Sequence, residues 1–193
     1  MKLLDCDALN SDLESIILER RKTLANSPRS ARGGWQSPKD MQNWPEAAVQ
    51  KLCKLCLDMA SGGLSDYFPQ AKPVAVRLGE CWANVNEGGS WNAPHNHGGF
   101  PWVASYYVRT QADGVHMGGI YFQNPLTLAY NFWQRPEIGI EPEDGDLIIF
   151  PGAYLHYVEP NPTSAPRISI AMNFLVKPTF DFWKQSMTHG ARR

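Results

Sequence analysis

The stretch GGSWNAPHNHGG, Gly88 to Gly99, puts two of the chain's five histidines one residue apart between glycine pairs. In an extended segment, residues i and i+2 point to the same side, so His95 and His97 would aim two imidazole nitrogens into one space. Such donors suit iron, copper, nickel or zinc. A solvated polar turn would carry the same residues, so the pair alone decides nothing. A third donor is His156, in GDLIIFPGAYLHYVEP, where an apolar strand from Asp146 to Phe150 ends at Pro151 and a short turn presents the ring. His116 in the turn-like ADGVHMGG and His189 in a polar tail are weaker candidates.

Arg167 follows His156 after ten intervening residues and opens the strand RISIAMNF. Alternation puts Arg167, Ser169, Ala171 and Asn173 on one face and Ile168, Ile170, Met172 and Phe174 on the other. The second face is a core face; the first is small and polar around one arginine. Taken singly, Arg167 reads as a surface residue of an edge strand and Ser169 carries no message. An inward guanidinium beside a metal is costly unless an anion meets it, and a hydroxyl beside an arginine fork suits a carboxylate. The two features together predict a metal site coupled to a carboxylate site.

These residues need elements to hold them. SDLESIILERRKTL predicts a helix capped by Ser11 or Asp12, with Leu13, Ile16, Ile17 and Leu24 on one side. A Pro/Gly/Ser-rich connection follows, then a second helix from near Pro45 to about Met59, stopped by Ser61, Gly62 and Gly63. After Pro69 come PVAVRLGECWANVN, WVASYYVRT, GGIYFQN, GDLIIFP and RISIAMNFLV, short segments rich in β-branched and aromatic residues between turn formers. This spacing predicts a small antiparallel barrel or sandwich with helices outside it. One domain is expected over residues 1–193, with residues 1–68 a mainly helical support, 69–178 the β core and 179–193 a tail. Trp82, Tyr106, Tyr130 and Trp133 are among the aromatics that either rim the barrel or pack its core.

Composition excludes several classes. A 43% hydrophobic and 19% charged chain is ordinary for a globular domain, and a net charge of −1 gives no reason to expect nucleic acid as a partner. The longest apolar runs, such as LIIF, are too short for a bilayer, and MKLLDCDALN lacks an export signal, so a cytoplasmic location is expected. Cys53 and Cys56 form a Cys-x-x-Cys pair at helical spacing with Val49, Leu52 and Leu57, which favours core thiols over a zinc or redox site. Oligomeric state is not predicted.

At this point the chain resembles the iron(II)- and 2-oxoglutarate-dependent oxygenases. The matching residues are HNH at His95 to His97, LH at Leu155-His156 and RIS at Arg167 to Ser169. A narrower group of small oxygenases is similar over about Gly33 to Phe174, from GGWQS through CWANVNEGGSWNAPHNH to the GDLIIFP…RISIAMNF segment. The resemblance implies a mainly β (α+β) fold, a double-stranded β-helix or jelly roll of cupin-like type with flanking N-terminal helices. It implies Fe(II) held by His95, His97 and His156, with O2 and 2-oxoglutarate as co-reactants. It places the far carboxylate of 2-oxoglutarate on Arg167, with Ser169 and Tyr107 as hydroxyl partners. Asn84 and Asn92 are candidates for bonding cosubstrate or substrate, strand-end structure being the alternative. The expected activity is oxidation of a C–H bond, by default hydroxylation, in a small molecule, amino acid or peptide. One departure stands out: where most such enzymes have an acid two residues after the first histidine, this chain has His97, and neither Glu87 nor Asp113 replaces it. Two alternatives remain at this point. One is a cupin-type three-histidine enzyme, such as a thiol dioxygenase, that needs no Arg167. The other is a ligand-binding barrel without catalysis.

Overall fold

A computed structural model of the chain describes residue 3 and residues 6–67, 74–112, 114–124 and 136–178. Two helices, α1 (Asp7–Arg21) and α2 (Ala47–Tyr67), and a 3-10 turn (Met41–Asn43) precede most of the strands. The strands are β1 (Ala31–Arg32), β2 (Trp35–Gln36), β3 (Val74–Asn86), β4 (Trp91–His95), β5 (Trp102–Arg109), β6 (Gln111–Ala112), β7 (Val115–His116), β8 (Ile120–Gln123), β9 (Glu137–Ile140), β10 (Leu147–Pro151), β11 (His156–Val158) and β12 (Arg167–Pro178). They form one antiparallel sheet in the order β1-β4-β11-β8-β9, a second in the order β10-β5-β12-β3-β2, and the small β6-β7 ribbon. The order is that of a double-stranded β-helix, as expected.

The second sheet is buried on both faces, and alternation along its strands separates two chemistries. Towards the helices, Ile168, Ile170, Met172 and Phe174 of β12 pack with Cys81, Ala83 and Val85 of β3 and with Ala104, Tyr106 and Val108 of β5. Leu13 and Ile17 of α1 and Val49, Leu52 and Cys56 of α2 close this core from outside. Each fully buried aliphatic side chain contributes about 1.5–3 kcal/mol by leaving water. Tyr106 belongs here, not at the barrel rim, and its hydroxyl donates to Asn10 Oδ1 at 2.7 Å. The other face carries Arg167, Ser169 and Ala171 of β12, Asn84 and Trp82 of β3, and Ser105 and Tyr107 of β5 into the space between the sheets. Tyr130, Trp133 and His189 lie outside the described residues.

Several boundaries differ from the sequence expectation. α1 starts at Asp7, with Cys6 as its N-cap and no side-chain cap, because Leu9 adds a further buried turn before Ser11. α2 continues through Gly62 and Gly63 to Tyr67. Neither glycine takes a positive φ, and neither packs against anything, so no left-handed cap forms to end the helix. Ser61 instead donates back to the Leu57 carbonyl at 2.7 Å, which keeps its hydroxyl inside the helical register. Cys53 and Cys56 are buried in the helix-facing core with Cys81, as free thiols. No helix among the described residues is long and apolar enough to cross a membrane.

The two faces of β12 predict opposite responses to truncation. Ile170→Ala is expected to cost about 2–5 kcal/mol in chemical denaturation, whereas Ser169→Ala, one residue away on the pocket face, is expected to cost under about 1 kcal/mol.

Candidate metal centre and anion pocket

His95 and His156 face each other across the first sheet, where β4 and β11 pair His95 with His156. Two residues further along β11, Val158 pairs with Asn92, so β4 holds one extra residue over this step. The bulge takes in Ala93 and Pro94 and accommodates a proline that has no N–H to give the ladder. The sequence reading put His95 and His97 on one strand; β4 ends at His95, and His97 lies in the turn that follows. That turn is fixed by three backbone features. The His97 N–H donates to the Gly152 carbonyl at 2.8 Å, the Phe100 N–H donates to the His97 carbonyl at 3.2 Å, and Gly98 takes φ +53°. Gly152 allows this approach because a Cβ there would collide with the Phe100 carbonyl oxygen. His156 is likewise not in a turn but begins β11, between His95 on one side and Phe122 on the other.

The donor nitrogens of the three rings lie within 4.8 Å of one another. Each Nδ1 is already engaged. His95 Nδ1 meets the Ala93 carbonyl at 2.8 Å and His156 Nδ1 meets the Tyr154 carbonyl at 2.9 Å, each two residues upstream. His97 Nδ1 meets the Asn173 amide oxygen at 2.6 Å. Carbonyl oxygens only accept, so these contacts assign the ring proton to Nδ1 and leave Nε2 as a lone pair on all three rings. The Nε2 atoms of His97 and His156 then stand 3.4 Å apart with no proton between them, an arrangement that a cation relieves. Burial favours the neutral rings. It lowers the pKa of His95, brings His97 down to about 4 and His156 to about 3, with the neighbouring histidines adding to the last two. The donor set therefore fits a first-row transition metal such as iron.

Across the same pocket, Arg167 is only 2% exposed, and its Nε and Nη2 have no hydrogen-bond partner. Its guanidinium lies 5.3 Å from the centre of the Tyr107 ring. Desolvation pushes the arginine pKa down while Tyr107 works against that, and burial pushes Tyr107 up to about 12. Two buried N–H groups left without acceptors fit an anion, a carboxylate above all. Ser169 lines the same pocket and accepts from Asn84 Nδ2 at 3.5 Å, and Asn84 in turn accepts from Gln36 Nε2 at 2.7 Å. Asn92 accepts from Asn86 at 2.8 Å and donates to Ser30 at 3.1 Å. One pocket, a cavity of about 40 Å³, is lined by the three histidines, Arg167, Ser169, Tyr107 and Asn84 together.

The sequence reading missed Gln36 and gave no role to Asn173, although alternation had placed Asn173 on the pocket face. Of the two acids that the sequence reading sets aside, Glu87 pairs with Arg21 at 2.8 Å on the surface, and Asp113 lies outside the described residues. The acid behind the centre is Glu80, bonded to Asn173 at 2.7 Å. His116 is remote from the triad and faces Glu141 at 3.8 Å.

Residues 80–173, which contain every pocket residue named here except Ser30 and Gln36, match the sequence model of the family described as "Putative 2OG-Fe(II) oxygenase". No curated protein matches the chain in sequence. Among solved structures, a prolyl-4-hydroxylase of Pseudomonas putida is similar at a TM-score of 0.64 and 16% identity, covering 87% of this chain and 86% of that one. HygX of Streptomyces hygroscopicus, solved with nickel, 2-oxoglutarate and hygromycin B, is similar at a TM-score of 0.61 and 16% identity, covering 90% and 80%. The collagen prolyl hydroxylase of Paramecium bursaria Chlorella virus-1, in complex with 2OG, follows at 0.58 and 15%, covering 87% and 90%. At such identities these likenesses speak to the fold, and the family match speaks to the residues within it. Over residues 80–173, 94 of the chain's 193, the sequence is similar to the 2OG-Fe(II) oxygenases.

Proposed function

We propose that this protein is an Fe(II)- and 2-oxoglutarate-dependent dioxygenase in which His95, His97 and His156 hold the metal and Arg167 holds the far carboxylate of 2-oxoglutarate. The reading is carried by one observation: two orphaned guanidinium donors and three converging imidazole lone pairs share a single pocket. When bound, Fe(II) with O2 supplies the oxidation that couples decarboxylation of 2-oxoglutarate to hydroxylation or related oxidation of a C–H bond. The chain's own residues do the positioning. Arg167 satisfies its free donors on the carboxylate and so fixes which end of the cosubstrate faces the histidines. Tyr107 and Ser169 offer hydroxyls beside that carboxylate, and Asn84, itself braced by Gln36, keeps Ser169 in place. The i−2 carbonyls behind His95 and His156 hold two rings against rotation.

The substrate class is a small molecule, amino acid or peptide. Support comes from the near-neutral chain and from a family fold seen in prolyl hydroxylases and in HygX bound to hygromycin B. Four unpaired cysteines favour a reducing cytoplasm as its location.

Anaerobic Fe(II) protein is expected to develop a visible charge-transfer band only on addition of 2-oxoglutarate, and the aerobic enzyme to release succinate. Arg167→Ala should weaken 2-oxoglutarate binding by about 30-fold or more, as for loss of one partner from a buried charged pair. Undiminished 2-oxoglutarate affinity in that variant would instead favour a cupin-type three-histidine enzyme. Arg167→Met removes a buried charge that lacks its counterion, so without cosubstrate it should be more stable than wild type by about 1 kcal/mol in urea denaturation. It should also lose the stabilisation that 2-oxoglutarate confers on wild type.

The histidine shifts set a pH dependence. All three pKa values lie below that of a free histidine, so near neutrality no proton has to leave before metal enters. Between about pH 7.5 and about pH 6, three ordinary imidazoles would lose about 50-fold in apparent metal affinity, whereas this site should lose less than about threefold by Co(II) titration.

A further inference from the structure

Two histidines of the triad are oriented by their own strand, through carbonyls two residues upstream. His97 sits in a turn and has no such local partner for its Nδ1. Its partner comes from 76 residues away, the amide of Asn173 at 2.6 Å. An amide can present either oxygen or NH2 to a ring nitrogen, and the two choices dictate opposite tautomers. Here the choice is made by a neighbour. Glu80 Oε2 accepts from Asn173 Nδ2 at 2.7 Å, and a carboxylate can only accept, so the NH2 must face Glu80 and the oxygen must face His97. Asn173 is 1% exposed, so water is in no position to substitute for either contact. Lys39 Nζ holds the same Glu80 oxygen at 2.7 Å and also lies 4.9 Å over the Trp82 ring. Trp82 in turn stacks on His97 at 5.8 Å with 25° between the planes.

We propose that Glu80 and Asn173 are positioning residues for the metal centre: the carboxylate orients the amide, and the amide keeps His97 as the Nδ1–H tautomer with its Nε2 lone pair towards the metal. Lys39 braces the relay at its outer end. The inference rests on the reading of His97 as a ligand, and it assigns a role to an acid that touches neither metal nor substrate. Without the acid, the amide is free to turn its NH2 to His97. The ring proton then moves to Nε2, which blocks the lone pair a metal needs.

The test reads the tautomer and the metal separately. In metal-free wild type, long-range 1H–15N NMR should report His97 protonated at Nδ1. Glu80→Met removes the acceptor and should shift His97 towards Nε2–H, with Co(II) affinity falling about 10–100-fold; Glu80→Gln keeps an acceptor oxygen and should stay within about threefold of wild type. Asn173→Ala serves as a second variant, expected to leave His97 in mixed tautomers with a similar loss of affinity. Thermal melting identifies folded variants. The proposal is overturned if folded Glu80→Met and Asn173→Ala both keep the Nδ1–H signal and wild-type affinity while His97→Ala loses metal. Wild-type metal affinity in His97→Ala would sink the ligand assignment itself, with the tautomer measurement still reporting on the relay.

Discussion

Everything in this pocket depends on two electrostatic deficits held at short range by the fold. At one end, three imidazoles, His156 buried and His95 and His97 half-buried, spend their N–H groups on oxygens behind them and turn bare lone pairs towards one another. At the other, a buried guanidinium keeps two N–H groups with nothing to accept them. Each deficit is a cost to folding of the order that unsatisfied buried polar groups carry, about 1–3 kcal/mol apiece. A cation relieves the first and an anion the second. A 2-oxo acid chelating a metal, with a second carboxylate at its far end, relieves both at once. The site is thus specified by what it lacks, and a pair of ordinary surface-exposed histidines beside an arginine would exert no such demand.

Those costs are bearable because stability is generated elsewhere on the same strands. β12 carries the arginine and serine of the pocket on alternate positions, while Ile168, Ile170, Met172 and Phe174 between them are fully buried against the helices. β3 and β5 repeat the pattern, with Asn84 and Tyr107 facing in and Val85 and Val108 facing out. A sheet with one solvated face would have had to choose between a polar site and a core. Covering the outer face with α1 and α2 removes the choice. The helices act on the chemistry only through this: they let the inner face of the barrel be polar without dissolving the sheet.

This division is also why so much was legible in the sequence. Period-two alternation in RISIAMNF announces the inward Arg167 and the outward core because both faces of that strand are decided by burial. The long strands β3, β5, β10 and β12 could be read for the same reason. Features set by backbone geometry were less accessible. The bulge at Ala93-Pro94 and the end of β4 at His95 make His97 a turn residue, although the spacing alone suited a continuous strand equally well. Ser61-Gly62-Gly63 looked like a helix stop, but glycine ends a helix only when the chain needs a positive φ there, and here it does not. Orientation of the triad was half legible: the i−2 carbonyls of His95 and His156 are local, whereas Asn173 and Glu80 reach His97 only through pairing of β3 with β12. No single-sequence pattern links residues 80, 97 and 173.

The replacement of an acid by His97 leaves a site with one negative charge fewer, and it is tempting to see Glu80 as the missing charge moved outward by one residue. The surroundings argue otherwise. Lys39 holds Glu80 at 2.7 Å, and on His97 the two act in opposite directions, the acid raising its pKa and the lysine lowering it. To first order the pair cancels at a distance, as opposed charges in contact do. What survives cancellation is directional. A carboxylate neutralised by a lysine still accepts hydrogen bonds and still forces an amide to face one way. In the proposed metal centre, the fixed tautomer of His97 is what stands in for a ligand carboxylate, and the charge of a bound metal would fall to its other partners, the 2-oxo acid first among them.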